Sequence, residues 1–162
     1  MRTYVGDLWD EAFDPPTWRV IPTNLGWTKD EYNVMGRGVA RQAAERNGGL
    51  ASFYGKWCKM MAGQTTHDLI CFANPSLILL PTKGLNRNTP HLSWQAPSDI
   101  RLLERAVQMM AFNMINRPRN LVALPLLGCG NGGLDPRDVV PILHRHLDQQ
   151  YVLVLTEELN LG

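Results

Sequence analysis

Leu121-Val122-Ala123-Leu124-Pro125-Leu126-Leu127-Gly128-Cys129-Gly130-Asn131-Gly132-Gly133-Leu134-Asp135-Pro136 is the stretch from which the fold is read. The apolar run at 121–126 predicts a buried strand, and Asp135 followed by Pro136 predicts the cap and first residue of a helix. Between them, four glycines in the six residues 128–133 leave the backbone bare, so its N–H groups can close on an anion. Open α/β sheets place ligands at the carboxyl ends of their strands, where helix N-termini favour negative charge. Strand, bare loop and helix in that order predict one wall of a diphosphate site. A plain tight turn would need only one or two glycines.

Downstream, the helix opened by Pro136 turns Val139, Ile142, Leu143 and Leu147 inward, with Pro141 expected to bend its first turns, and residues 151–155 form a last strand. Upstream, Ser98 is the expected N-cap of a helix that buries Leu102, Leu103, Ala106, Met109 and Met110 and ends near Asn116-Arg117-Pro118. Residues 69–73 and 77–80 read as short buried strands, followed by a long loop from Pro81 to Pro97. Leu50, Phe53, Tyr54, Trp57 and Met61 recur at intervals of three and four, one buried face of a helix. Gly36-Arg37-Gly38 opens an earlier helix reaching Arg46. Residues 2–5 and 18–21 are the first strands, ended by Gly6-Asp7 and by Pro22. Long connections between strands argue for a three-layer α/β/α fold with a mixed, largely parallel sheet, in a single domain over residues 1–162.

Sixteen Lys and Arg nearly cancel fifteen Asp and Glu, so a net charge of +1 provides no general pull toward nucleic acid or anionic membrane. Cys58, Cys71 and Cys129 match neither a disulfide framework nor a zinc site and fit a reducing cytoplasm. Arg2, Asp7 and Asp10 break any secretory apolar region, and no apolar run approaches the roughly 20 residues that span a bilayer. His144 and His146, two apart on a helix, point to different faces and do not chelate together.

Two other classes use part of the glycine loop. Gly128, Gly130 and Gly133 satisfy G-x-G-x-x-G, the dinucleotide fingerprint, but no second half-sheet or substrate domain can be drawn after it. A cysteine phosphatase loop around Cys129 would need Arg where the chain has Asp135.

Five pieces in order resemble a macro domain, the ADP-ribose-binding module. They are Val5-Gly6-Asp7-Leu8, Pro22-Thr23-Asn24, Val34-Met35-Gly36-Arg37-Gly38-Val39-Ala40, Pro81-Thr82-Lys83, and Leu124 through Asp135. Within that family they are similar to the branch with terminal ADP-ribose protein glycohydrolase and the antitoxin that strips ADP-ribose from thymidine in DNA. The resemblance implies that Asp7 meets the adenine amine, with Leu8 beside it, and that Thr23 and Asn24 lie by the distal ribose. It also implies that Met35, Gly36, Arg37, Gly38 and Val39 cover the diphosphate and ribose. Gly128, Cys129, Gly130, Asn131, Gly132, Gly133 and Leu134 would then cradle the phosphates from the other side.

Lys83 matches the branch's catalytic lysine. A neutral amine can capture the anomeric carbon of the distal ribose before water releases it. An ordinary Lys, with a pKa near ~10.4, is mostly charged at neutral pH, so desolvation or a cationic neighbour is required; Arg37 and Arg87 are the candidates. The terminal glycohydrolase also uses an Asp in this loop where the chain carries Gly132, which implies a lysine-led route. Trp27, Tyr32 and Trp94, in loops near the cleft, are candidates for stacking.

The expected function is removal of ADP-ribose from DNA or protein, using Lys83 and Asn24 and no cofactor or metal, by a monomer without membrane contact. Two alternatives stay open: an ADP-ribose reader without turnover, and a phosphatase acting on ADP-ribose 1''-phosphate.

Overall fold

The computed structural model describes residues 1–64 and 69–159. The strands are β1 (Arg2–Val5), β2 (Trp18–Asn24), β3 (Cys71–Ala73), β4 (Leu77–Lys83), β5 (Val122–Pro125) and β6 (Tyr151–Leu155). The helices are α1 (Gly38–Arg46), α2 (Leu50–Ala62), α3 (Ile100–Met114) and α4 (Pro136–His146), with 3-10 turns at Glu11–Phe13 and Pro90–Gln95. One six-stranded sheet runs in the order β1-β6-β5-β2-β4-β3. All its pairs are parallel except β3 with β4, so the sheet is mixed and largely parallel.

Strict alternation along the strands builds the two faces. Val20, Ile78, Leu80, Val122, Leu124 and Leu153 meet the buried sides of α3 and α4 on one face. Ile21, Leu77, Leu79, Ala123, Val152 and Val154 meet α1 and α2 on the other. Both faces are covered, hence the continuous apolar runs of β4 and β6. The result is the expected α/β/α layering.

Several boundaries differ from the sequence reading, each for a local reason. β2 does not stop at Pro22 but continues to Asn24. The Trp18 amide donates to Leu121 O on the β5 side and the Arg19 amide to Ser76 O on the β4 side. By this alternation, Pro22's missing N–H falls on the β5 side, where the register ends at Arg19↔Ala123 and no ladder bond is lost. β4 likewise runs on through Pro81 to Lys83, so the lysine ends a strand rather than riding in a loop.

The N-cap of α3 is Asp99, whose Oδ1 accepts from the amides of Arg101 and Leu102 at 2.9 and 3.3 Å; Ser98 lies one residue outside. Asp135 and Pro136 do open α4 as expected, and the helix runs unbroken through Pro141. On α2 the buried positions are Leu50, Tyr54, Gly55 and Cys58, while Phe53 is exposed. The segment before α1 crosses the helix at Gly55, where a β-carbon would collide with Glu31 O, and this rotates the buried stripe away from Phe53. Among the described residues, no helix is long and apolar enough to cross a membrane.

Candidate functional site

After Arg19 and Ala123, parallel strands β2 and β5 have no further register partners, and a cavity of about 500 Å³ lies at their carboxyl ends. Pro22, Thr23 and Asn24 line it from β2, Pro125 and Leu126 from β5, and Thr82 and Lys83 from β4. Prolines suit both diverging strands because no amide is owed to a neighbour there.

The first turn of α1 supplies one wall through Gly38, Val39 and Ala40, preceded by Gly36 and Arg37. Arg37 occupies the N-cap without a side-chain cap bond, and Gly38 takes a φ of +57°. First-turn amides have no partners inside their helix, so this wall offers N–H groups and the positive end of the helix dipole. The glycine loop supplies the facing wall through Gly128, Gly130, Asn131 and Gly132. It closes on itself, the Leu134 amide donating to Gly128 O at 3.0 Å and the Gly133 amide to Gly130 O at 3.2 Å. Gly128 and Gly133 take φ of +72° and +79°, which side chains disfavour. Among the described residues, the amides of Gly130, Asn131 and Gly132 have no backbone acceptor. Two sets of free donors thus face one cavity, an arrangement suited to a polyanion.

Lys83 and Asn24 are partners across the β2–β4 ladder, after a register shift between Thr23 and Asn24. Asn24 is buried: its Oδ1 accepts from the Gly26 amide at 2.9 Å and from Asn33 Nδ2 at 3.2 Å, and its Nδ2 donates one N–H to Val34 O at 2.9 Å. It therefore pins the segment leading to Gly36 against the end of β2. Lys83 Nζ donates to Trp94 O at 2.8 Å. The long loop that brings Trp94 there is fixed by Ser93, whose Oγ accepts from the Asn86 amide and donates to Pro90 O. Gly26 lies directly beneath it, where a β-carbon would collide with Pro90 O.

Burial, and secondarily the positive charge of Arg37, holds the Lys83 pKa below its ordinary value. Of the two cations the sequence nominated, Arg37 shares this cavity. Arg87 lines a second, smaller cavity of about 210 Å³, with Arg105, Asp99 and Trp57.

Thr23, Asn24, Gly36, Arg37, Gly38, Val39, Lys83, Gly128, Gly130, Asn131 and Gly132 are thus brought together. Other nominated residues lie outside the cavity wall. Asp7 follows β1 at the same end of the sheet, exposed, its Oδ1 accepting from the Trp9 amide at 2.8 Å. Leu8 and Met35 are buried in the core against α1 and α2. The Cys129 thiol points to Leu127 O, and burial pushes its pKa up to about 11, which keeps it from being a thiolate nucleophile. Gly133 shapes the loop, and Leu134 packs under Gly128. Trp94 lines the cavity, Trp27 is half-buried against the core, and Tyr32 is half exposed. The sequence reading did not place Pro22, Val34, Ala40, Thr82, Ser98, Pro125 or Leu126 in the site as wall residues, although all but Ser98 lie within a quoted motif.

No protein-family model matches the sequence. The chain is similar over nearly its whole length to a solved macrodomain of Mycobacterium tuberculosis DarG, at 26% identity and a TM-score of 0.70, covering 94% of this chain and 95% of that one. The chain has the macro-domain fold. The solved structure of Thermosipho africanus DarTG in complex with ADP-ribose shares its fold at 21% identity and a TM-score of 0.67, covering 89% of the macro domain and 39% of that chain. Over 108 residues, 65% of its length, the macro domain is 32% identical to a DNA ADP-ribosyl glycohydrolase of M. tuberculosis. It spans only 29% of that relative.

Proposed function

We propose that this macro domain binds ADP-ribose between the α1 N-terminus and the glycine loop and hydrolyses it from a modified macromolecule, with Lys83 as nucleophile. The observation that carries the reading is the placement of Lys83. It ends β4 beside Asn24, inside a cavity walled by free amides, with its ammonium form disfavoured by burial and by Arg37. The names of the relatives support the same substrate class: a DNA ADP-ribosyl glycohydrolase and a fold neighbour in complex with ADP-ribose.

In this scheme the free amides of 130–132 and of the first turn of α1 hold the diphosphate, which directs the distal ribose toward Lys83. One N–H of the neutral Lys83 amine donates to Trp94 O, leaving the nitrogen lone pair for the anomeric carbon. The new N–C bond forms as the bond from the anomeric carbon to the acceptor breaks; the acceptor leaves with the bonding pair and takes a proton. Water then adds at the same carbon and releases the Lys83 amine and ADP-ribose. Asn24 acts by holding the ribose-facing segment in register. Asp7 and Leu8 are assigned to the adenine end, and Met35, Cys129, Gly133 and Leu134 support the walls from behind.

The test is release of ADP-ribose from an ADP-ribosylated oligonucleotide and an ADP-ribosylated protein, alongside calorimetric titration with ADP-ribose. Lys83→Ala abolishes release and keeps ADP-ribose affinity within a few-fold. Wild-type protein that binds ADP-ribose yet releases none from either substrate overturns the enzyme reading and leaves a reader. Inorganic phosphate liberated from ADP-ribose 1''-phosphate would redirect it to a phosphatase.

A further inference from the structure

Ser98 is nine-tenths buried, at 8% exposure, and lines the cavity. Its backbone is clamped from both sides: the Ser98 amide donates to Gly132 O at 2.9 Å and the next amide, Asp99, to Thr82 O at 2.8 Å. The residue therefore bridges the glycine loop and the end of β4, one position from Lys83, on the side of the cleft that carries Trp94. Its side chain lies against the bare α-carbons of the loop. A β-carbon at Gly132 would collide with Ser98 Oγ, and one at Gly128 would come within 3.2 Å of Ser98 Cβ and 3.3 Å of Oγ.

The hydroxyl has no hydrogen-bond partner among the described residues, one of three buried side-chain polar atoms in that condition. Helix capping does not employ it, since Asp99 does that work. A buried hydroxyl left unpaired is costly, so this one is expected to find a partner when one arrives. Serine has three staggered positions for Oγ about the Cα–Cβ bond. Rotation from beneath Gly132 toward the cavity gives up no hydrogen bond.

The geometry points to Ser98 as a ligand-binding residue, whose hydroxyl turns from beneath Gly132 into the cleft and hydrogen-bonds a hydroxyl of the distal ribose beside Lys83. This rests on the ADP-ribose reading and adds to it a contact that selects for the sugar beyond the diphosphate. ADP carries the same adenosine and diphosphate without that sugar.

Two measurements on wild type and Ser98→Ala decide it: thermal melting without ligand, and calorimetric titration with ADP-ribose and with ADP. Ser98→Ala is expected to melt at or above the wild-type temperature, because it removes an unsatisfied group. It should bind ADP-ribose up to about 10-fold more weakly, the worth of one hydrogen bond, and bind ADP within about twofold of wild type. Unchanged ADP-ribose affinity overturns the inference. So does an equal loss for ADP, which would put the contact on a phosphate, or a lowered melting temperature, which would make the hydroxyl a structural group. Wild type that binds ADP but not ADP-ribose, or neither, overturns the ADP-ribose reading itself, and this contact with it.

Discussion

At the residue scale, Lys83 and Asn24 face each other across two strands and differ in how freely each can be changed. Among the described residues the Lys83 amine is held only by Trp94 O, so its replacement leaves the wall intact. Its pH behaviour follows from the direction of its shift. In the proposed mechanism the neutral amine is the reactive form, so release rises with pH and levels off above the pKa, and because burial and Arg37 lower that pKa, the rise comes below the ~10.4 of free lysine. Arg37→Ala removes a charge that disfavours the ammonium. The pKa moves up, and the profile of kcat against pH at saturating substrate moves to higher pH. A profile that stays put would show that Arg37 does not tune the lysine.

Asn24 is the opposite case. Asn24→Ala orphans the buried Gly26 amide, at about 1–3 kcal/mol, and frees the part-buried Val34 O at smaller cost, and urea unfolding should show the loss. Reduced activity in that variant would therefore measure the scaffold as well as the ribose contact. This double duty was not legible in the sequence, where Asn24 after Pro22 reads equally as a turn residue.

At the element scale, the two walls are helix and loop termini, and single atoms there have measurable consequences. Asp99→Ala should cost about 0.5–2 kcal/mol, the usual worth of an N-cap, whereas Ser98→Ala should not destabilise the free protein. The sequence reading placed the cap at Ser98; Asp99 belongs to the same favoured residue class, and the hydrogen-bond geometry separates them. The glycine loop contains a matched pair for testing. A β-carbon at Gly130 would meet nothing within 4 Å, whereas at Gly132 it would meet Ser98 Oγ and, at 2.5 Å, Gly128 O. Gly132→Ala should therefore weaken ADP-ribose binding by displacing the loop, and Gly130→Ala should affect it less; calorimetric titration of both checks the order.

The loop's composition announced a ligand wall because bare backbone is visible in letters. Its dependence on residue 98 was not visible, since that contact joins segments far apart in the chain. Strand ends were misread at Pro22 and at Leu80 for a related reason. Proline normally forbids continuation, but Pro22 lies beyond the last β2–β5 partners and Pro81 beyond the last β3–β4 partners, so each strand continues on its remaining neighbour.

At the scale of the whole molecule, the α/β/α layering followed from the order of strands and helices and the long connections between strands, and the cleft lies where the topology parts β2 from β5 rather than in any motif alone. Ligand binding there should stabilise the folded state by linkage. ADP-ribose at 100 times its dissociation constant adds about 2.7 kcal/mol. For a domain of this size that raises the melting temperature by roughly 5–10 °C, with ADP less effective at equal concentration. A melting curve indifferent to ADP-ribose would mean that the cleft takes another ligand.

Among the described residues β1 pairs only with β6, and β6 lies between β1 and β5, so the sheet is sewn together by a strand that follows the other five in the chain. Until Tyr151–Leu155 has left the ribosome, β1 has no neighbour to register against, and the Gly6 amide cannot reach Leu155 O, its 2.8 Å anchor in the finished protein. Asp7, the residue assigned to adenine, hangs from that anchor. Because β6 is also the full-length partner of β5, the glycine loop waits on the same strand as the proposed adenine end, and both sides of the cleft are secured together by the pairing that closes the sheet.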